Sequence, residues 1–502
     1  MHAVVAAGLW LVASSAGADD THYRSVPIGA HAIGLGGAFT GVVDDASAAF
    51  YNPGGLMLDA TTGIAGGLTI NAWDKVEIDN ALENPDGVAK SNATGARTIP
   101  LFIGALVKFG PENVFKQKKF ALALSVVEPN FSREGDFLEL PSDPVEFTTT
   151  YTIAVNDRAT WYGLSFASRI NLKHMIGTSL YLSVRRLNQN ELGLALAGGT
   201  QIATDPAQFV GTSSAATNQR LNFKAFHLAL RFGWLFRFKP QLQFGVMLQP
   251  PGIPLKQRVN AISQEFLNDN QDPSSPLTTT VAYLNDDFDA NLPIPLELRT
   301  GVQYWPAEKV MLALDAMFYG PVRSGQRVKD GSSGLVGGLF YDNNTARRAT
   351  GNVALGADFF ISKKIMIETG FFTDFSSAIN IPDNPDRYYN PQINRYAGTI
   401  SIGLDIAGVA IAVGSTFLYG RGPATGAIID QNDVALEYMR TEASSRTIFL
   451  HLTGATRAVS TLSDKTAKGI KTHRQKKQNA DEEQQSEAKQ RGGEDDDASG
   501  ED

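Results

Sequence analysis

The sequence has no cysteine among its 502 residues. This absence excludes disulfide bonds, thiolate metal sites, cysteine nucleophiles and lipid anchors attached through cysteine. Charged residues are few, at 19% of the chain, and the net charge of -8 offers no basic surface for nucleic acid. Beyond the N-terminus there is no run of about 18 apolar residues, so we predict no membrane-spanning helix.

Both ends of the chain are predicted to lie outside the folded domain. The apolar residues 3–13, followed by the small residues Ala16, Gly17 and Ala18, predict a cleavable signal peptide over residues 1–18 and therefore export. No Lys or Arg precedes the apolar core, and a short buried helix is the alternative. Residues 456–502 are rich in Lys, Gln, Glu and Asp and predict a disordered, charged tail. That tail is either simply solvated or contacts cell-wall polymer or another protein.

Side chains between the two ends alternate in character, which predicts an all-β chain. On one face of a single stretch lie Phe226, Leu228, Leu230, Phe232 and Trp234, and the residues between them are small or polar. Large apolar residues on one face, with glycine and charge on the other, suit a barrel with lipid outside and water inside. An exported chain without spanning helices can cross a membrane only as a closed barrel.

The candidate strands between residues 61 and 455 are separated by gaps that alternate between long and tight. Transmembrane barrels have this asymmetry because their periplasmic turns are short and their outer loops long. We therefore predict a transmembrane antiparallel β-barrel of about 14 strands, an even number, with both chain ends in the periplasm. Residues 146–156 are assigned to a loop, because counting them as a strand would break this alternation.

Residues 19–60 precede the first strand and are not strand-like. Many of them are small, which allows close backbone packing in a confined space. Asp44 and Asp45 are placed to cap a short helix, and Asn52, Pro53, Gly54 and Gly55 then turn the chain. A phosphate-binding glycine loop is disfavoured, since position 39 is phenylalanine where such a loop needs its third glycine. We predict a plug, or hatch, inside the barrel.

Residues 34–40, 44–47 and 50–56 resemble the hatch of the FadL/TodX family of outer-membrane transporters for long-chain fatty acids and aromatic hydrocarbons. Gly54 stands where that family usually has alanine. The resemblance covers about residues 24–455. It implies a barrel with an N-terminal hatch, a capture groove formed by the third and fourth outer loops, and a sideways exit through a kink in the third strand.

Within this resemblance, the gaps 188–220 and 251–293 are the third and fourth outer loops. Their apolar residues are candidates for the capture groove, although packing of the loops against each other is equally compatible with them. In the second gap these residues recur at helical spacing and predict a short amphipathic helix. The groove candidates are Leu192, Leu194, Leu196, Phe209, Val259, Ile262 and Phe266.

Two arginines are predicted to face the lumen, Arg231 and Arg299. Either of them could receive a carboxylate from a ligand. The alternative is that the mixed charges of the lumen pair with each other and hold the hatch in place. Pro129 ends the third strand and removes one hydrogen bond from the ladder, which makes it the candidate for the lateral opening.

The sequence thus predicts passive transport of hydrophobic small molecules across the outer membrane of a Gram-negative bacterium. The expected partners are the hydrophobic ligand, outer-membrane lipid and lipopolysaccharide, and the chain is expected to be a monomer. A general porin for polar solutes is the alternative function. No G-x-S-x-G motif occurs and the seven histidines are scattered, so we expect neither an enzyme, a cofactor nor a metal.

Overall fold

The structure is a computed structural model. It describes residues 21–23, 26–58, 63–84, 87–113, 117–139, 147–197, 213–269, 277–329, 342–406, 409–429 and 436–455. The predicted signal peptide and the predicted C-terminal tail lie outside these residues. No helix in this part of the chain is long and apolar enough to cross a membrane.

Short helices come first and strands follow. Helix α1 is Ala30–Gly34, helix α2 is Ala48–Tyr51, and a 3-10 helix spans Pro53–Met57. The strands are β1 Gly63–Asn84, β2 Gly87–Glu112, β3 Lys118–Glu139, β4 Phe147–Arg169, β5 His174–Ala197, β6 Ser213–Lys239, β7 Leu242–Gln249, β8 Ile253–Asp269, β9 Leu277–Asp289, β10 Glu297–Ala307, β11 Val310–Tyr319, β12 Thr350–Phe360, β13 Ile365–Asp374, β14 Asn394–Ile406, β15 Val409–Ile429 and β16 Leu436–Ala455.

The strands form one closed antiparallel sheet. Strand β1 pairs with β2 on one side and with β16 on the other, so the first and last strands seal the barrel. Strand β7 pairs with β6 and β10, whereas β8 and β9 form a hairpin that pairs with the N-terminal half of β6. Since a closed barrel leaves no unpaired edge, this architecture is the one that strands can adopt in lipid. The predicted all-β barrel is confirmed.

Several boundaries differ from the prediction. Among the described residues the sheet has sixteen strands: β8 and β9, which were not predicted as strands, form the hairpin on β6, and the others follow one another round the ring. The predicted amphipathic helix in residues 251–293 is wrong, because that segment forms these two strands. The assignment of residues 146–156 to a loop is also wrong, since β4 begins at Phe147. These segments carry polar residues on both faces, so their sequences lack the alternation of apolar and polar residues by which a strand is recognised.

Side chains alternate between the two faces of the wall as predicted. On β11, Leu312, Leu314 and Phe318 are exposed on the outer face, whereas Met311 and Asp315 are buried on the inner face. On β12 the inner face carries Asn352, Gly356 and Asp358, while the outer face carries valine, leucine and phenylalanine. The exterior is therefore apolar and the interior is small or polar, the reverse of a soluble sandwich.

Candidate functional site

Residues 26–58, which we call the N-terminal segment, are buried within the ring of strands. Glycines on the inner face of the wall let the segment approach closely. A Cβ atom added at Gly177 of β5 would lie 2.5 Å from the carbonyl carbon of Pro53, and one added at Gly233 of β6 would lie 2.6 Å from Cδ of Pro53. The wall at Gly356 and Gly370 is equally close to Leu35 and Gly36. The segment therefore contacts the wall on opposite sides of the lumen.

The Asn52-Pro53-Gly54-Gly55 turn is fixed by the side chain of Asn52. Its Oδ1 accepts a hydrogen bond from the Gly54 amide at 3.1 Å. Its Nδ2 donates to the carbonyl of Thr40 at 3.1 Å and to that of Trp234, on the wall, at 3.0 Å. A Cβ atom at Gly54 would lie 2.9 Å from the carbonyl oxygen of Met175. The turn thus needs an amide at its first position and a small residue at its third.

The two aspartates of the segment have different partners, and neither side chain caps α2. Oδ1 of Asp45 accepts hydrogen bonds from the backbone and hydroxyl of Ser47, at 2.7 and 2.5 Å. Oδ2 of Asp45 accepts from the amide of His31 at 3.2 Å. Both carboxylate oxygens of Asp44 lie 3.0 Å from Nδ1 of His31. The helix begins at Ala48, and the predicted caps instead join its N-terminal turn to α1.

Arg231 on β6 is the main contact between the segment and the wall. Its Nη1 donates to the carbonyl of Phe50, and its guanidinium lies 3.8 Å from the centre of the Phe50 ring. Its Nε donates to Gln249 at 2.8 Å, and its Nη2 to Glu297 at 2.9 Å. The side chain is fully buried, so these contacts replace its hydration. Arg231 is therefore placed as each of its two predicted roles requires, which are to receive a ligand carboxylate and to hold the segment in the lumen.

Arg299 is not among the residues that line the cavity beside Arg231. Its Nη2 donates to the carbonyl of Gly37 at 3.4 Å, and its guanidinium lies 4.8 Å from the centre of the Tyr51 ring. Asp315 is 3.8 Å from the same nitrogen. That carboxylate also accepts the amide of Thr40 at 2.9 Å. This geometry favours the alternative reading for Arg299, in which lumen charges hold the segment.

A cavity lies directly against the N-terminal segment on the side of the long connections. It has a volume of about 90 Å³ and is partly open to solvent. Its apolar lining includes Phe50, Trp161 and Tyr319, and its polar lining includes Arg231 and His227. The further lining arginines are Arg185, Arg327 and Arg347. The lining is therefore mixed, with aromatic rings facing a set of charged and polar side chains.

Pro129 lines this cavity and lies inside β3, which continues to Glu139 rather than ending at this proline as predicted. Pairing between β2 and β3 ends at Phe102 and Val127 in the described residues. Pairing between β3 and β4 shifts register between Val127 and Asn130. Proline cannot donate to a ladder, and the interruption falls where its ring stands. Among the described residues, the pairing of β3 with β2 is therefore interrupted beyond Val127, beside the cavity.

The predicted groove residues are not all brought together. Leu192 is exposed on β5, whereas Val259 is fully buried on β8 among Leu187, Phe223 and Leu292. Ile262 is half-buried on the same strand. Leu194 and Leu196 belong to β5 and Phe266 to β8, while Phe209 lies outside the described residues. Strands rather than loops carry the described ones among these residues, and Leu292 belongs both to the apolar cluster around Val259 and to the lining of the cavity.

Sequence reasoning missed several cavity residues. Trp161 lies on the inner face of β4, and its alternation with Tyr162 and Leu164 was the available signal. Arg327 and Arg347 lie in the connection between β11 and β12, where no periodicity marks a residue as inward-facing. Asp342 in the same connection is buried, and burial raises the pKa of its carboxyl above the ordinary 3.8 against the opposing attraction of Arg327 and Arg347.

Solved structures show the same fold at low sequence identity. A FadL homologue from Pseudomonas aeruginosa superposes with a TM-score of 0.59 at 13% identity, covering 87% of this chain and 99% of that one. The toluene transporter TodX from P. putida gives 0.53 at 12% identity, with the same coverage of 87% and 99%. The toluene transporter TbuX from Ralstonia pickettii gives 0.51 at 13% identity, again covering 87% and 99%.

No protein-family model and no curated protein sequence matches this chain. The fold is therefore established by structure alone: a closed antiparallel β-barrel of the type found in outer-membrane transporters. More particularly, the fold is similar to that of the FadL homologue, TodX and TbuX, as the resemblance implied.

Proposed function

We propose that this protein carries hydrophobic small molecules passively across the outer membrane of a Gram-negative bacterium. Long-chain fatty acids or hydrocarbons enter the cavity from the side of the long connections. The N-terminal segment acts as the hatch that closes the lumen to water. The ligand leaves sideways, between β2 and β3, and the chain termini face the periplasm. The protein works as a monomer among outer-membrane lipid and lipopolysaccharide.

One observation carries the proposal: the cavity, the segment and the interrupted wall meet at the same place. Phe50 of the segment and Pro129 of β3 both line the cavity. The interruption beyond Phe102 and Val127 offers a route from that cavity towards lipid, so that a ligand need not enter water. Aromatic walls favour an apolar body, and the surrounding arginines favour a polar or anionic end.

The capture step is assigned to the apolar cluster around Val259 and Phe223, which shares Leu292 with the lining of the cavity. Apolar surface at the mouth of a cavity lowers the free energy of a ligand that the polar leaflet repels. The exposed Leu192 contributes only if the tip of β5 is itself contacted by ligand.

A general porin for polar solutes is the rival function. A porin needs a continuous water-filled lumen, whereas buried Phe39, Phe50 and Leu56 fill the lumen here. Liposomes containing the full chain would separate the two functions. We expect labelled fatty acid or toluene to be taken up and glucose to be excluded. Uptake of glucose without uptake of either hydrophobe would contradict the transporter reading.

The lateral route can be tested at Pro129. Pro129→Trp places a large ring beside the interruption, and we expect uptake of the hydrophobe to fall several-fold. Val126→Trp is the matched control, because Val126 lies on the same strand but faces outward. Binding of the ligand, measured by fluorescence quenching of bound probe, should persist in both variants. Equal uptake by the two variants would show that the ligand does not leave the barrel beside Pro129.

A further inference from the structure

The outer face of the wall changes from apolar to charged along β1 and β16. On β16 the exposed residues Leu450 and Ile448 are apolar, and Arg446, the next one on that face, is charged. On β1 the same change falls between Trp73 and Lys75. Apolar side chains on the outside of a barrel contact the acyl chains of a membrane, so the charged ones lie where the polar headgroups begin.

The register of strand pairing places these boundary residues side by side. Arg446 of β16 is directly opposite Lys75 of β1 and, on its other side, directly opposite Tyr419 of β15. We call these three residues the basic row. The neighbouring row towards the acyl chains is apolar and consists of Trp73, Ile448 and Phe417. Cationic side chains beside an apolar and aromatic row suit a lipid whose polar end carries negative charge.

Among the side chains described on this surface, Arg446 is the cation without a carboxylate partner. The other cations are paired: Lys75 Nζ with Glu77 at 2.7 Å, Lys90 Nζ with Asp79 at 2.8 Å, and Arg421 Nε with Glu442 at 2.7 Å. Arg446 is instead directly opposite Lys75, which has the same sign. Like charges that face each other across a ladder are destabilising, so an anion bound between them relieves their repulsion.

A hollow with a volume of about 310 Å³ opens on the outer face beside Arg446. Its lining includes Tyr419, Arg421 and Ser444. The guanidinium, phenol and hydroxyl groups are hydrogen-bond donors, and an anion with several oxygens can accept from more than one of them. The carboxylates that line the hollow are the paired ones, Glu77, Asp79 and Glu442. Exposed ion pairs of this kind are weak, so they do not prevent Lys75 and Arg421 from contacting a ligand anion as well.

We propose that the basic row and the hollow beside it bind a phosphate group of lipopolysaccharide. Arg446 and Lys75 contact the phosphate, Tyr419 donates its phenol hydroxyl, and the acyl chains run along Trp73 and Ile448. Lipopolysaccharide fits this depth because its phosphates are carried by the same sugars that bear its acyl chains. The inference rests on the proposed function in one respect, namely that the long ends of the strands project from the outer leaflet. In that orientation, phospholipid phosphates belong to the leaflet at the other end of the strands.

The test is a titration of the full chain in non-ionic detergent with a truncated lipopolysaccharide of defined mass, in which native mass spectrometry counts the bound lipid. We expect saturable binding that weakens as the salt concentration rises. Arg446→Gln and Lys75→Gln should each weaken binding roughly 5-fold, and the two together roughly 30-fold, because each basic residue near an anionic lipid contributes a similar free energy. The same lipid without its phosphates should bind the parent chain no better than the intact lipid binds the double variant.

Lys364→Gln is the matched control, because it removes an exposed positive charge from the turn between β12 and β13, away from the basic row. That variant should bind the lipopolysaccharide as tightly as the parent chain. Heat-modifiable migration on gels confirms that each variant forms a barrel. Undiminished binding by the double variant, equal binding of the dephosphorylated lipid, or tighter binding of phosphatidylglycerol than of lipopolysaccharide would each overturn the proposal.

Uptake of fatty acid or toluene by liposomes containing the parent chain is measured separately. Failure of that uptake would contradict the proposed function, while the titration in detergent still reports on the basic row. Intact uptake without phosphate-dependent binding of lipopolysaccharide would contradict the lipid site alone.

Discussion

At the scale of single residues, Arg231 combines the two roles that sequence reasoning held apart. It lines the cavity and it also holds the segment through Phe50 and Glu297. Period-two alternation in β6 was enough to place it in the lumen. Its partners came from β7, β10 and the segment, and no local pattern specifies such distant contacts. A ligand carboxylate at Arg231 would have to compete with Glu297.

Removing Arg231 and Glu297 together should cost less stability than the sum of the two single removals. Arg231→Met removes the 2.9 Å contact of the buried Glu297 and leaves Arg299 at 3.9 Å from that carboxylate, and we expect a loss of up to about 3 kcal/mol in the free energy of unfolding. The double variant Arg231→Met, Glu297→Gln should lose less than the sum of the single changes. Urea unfolding in detergent micelles measures all three. Additive losses would mean that the two side chains do not act as a pair.

The stability of the folded connection between β11 and β12 should depend on pH because of Asp342. Burial raises the pKa of Asp342, so the folded connection binds a proton more strongly than the unfolded one. The resulting stabilisation is complete below the ordinary pKa of 3.8 and is lost as pH rises through the folded value. Asp342→Asn keeps the neutral form at every pH. Amide exchange at residues 342–349 should be slower in this variant at about pH 7 and equal to the parent at about pH 3.

At the scale of elements, glycines on the inner face of the wall allow the N-terminal segment to pack closely against the strands. Gly177, Gly233, Gly356 and Gly370 come from four strands, and each leaves room for backbone of the segment. The sequence showed the segment's small residues and its turn, but not which wall glycines would face it. Glycines occur on both the inner and the outer face of the strands. Only the register of strand pairing shows which of them face the segment.

A methyl group at these wall positions should loosen the segment. We expect Gly177→Ala and Gly233→Ala to lower stability by about 1–3 kcal/mol, because Asn52 and Pro53 must shift. Ion conductance through planar bilayers should rise as the lumen opens. Gly398→Ala is the matched control, since an added Cβ atom meets nothing within 4 Å there. Similar conductance in all three variants would show that the segment does not seal the lumen.

Across the whole molecule, the barrel and its inward-outward alternation could be predicted from the sequence, and the long ends of the strands could not. Residues 147–157 and 253–269 pair as strands although their side chains lack a clean apolar face. Their strand structure follows from the neighbouring strands, which supply hydrogen-bond partners beyond the apolar band. The cavity could not be predicted either, because its lining residues come from strands that are far apart in sequence.

Deleting residues 26–56 tests the arrangement as a unit. The ladder that closes β1 on β16 involves none of these residues, so we expect the barrel to form. Its lumen should then conduct ions steadily in planar bilayers and admit glucose into liposomes. A deletion variant that remains closed would contradict the role of the segment as the hatch.

The position of Thr21 also constrains the order of assembly. Its hydroxyl contacts that of Ser376 at 2.7 Å, across 355 residues of chain, and its carbonyl accepts a hydrogen bond from Ser377. Contacts so distant in sequence form late in folding, because the intervening loop must first be closed. The segment around Thr21 is synthesised before β13 and β14 but is fixed in place after them. Until the connection between these two strands has formed, Ser376 and Ser377 cannot hold Thr21 inside the barrel.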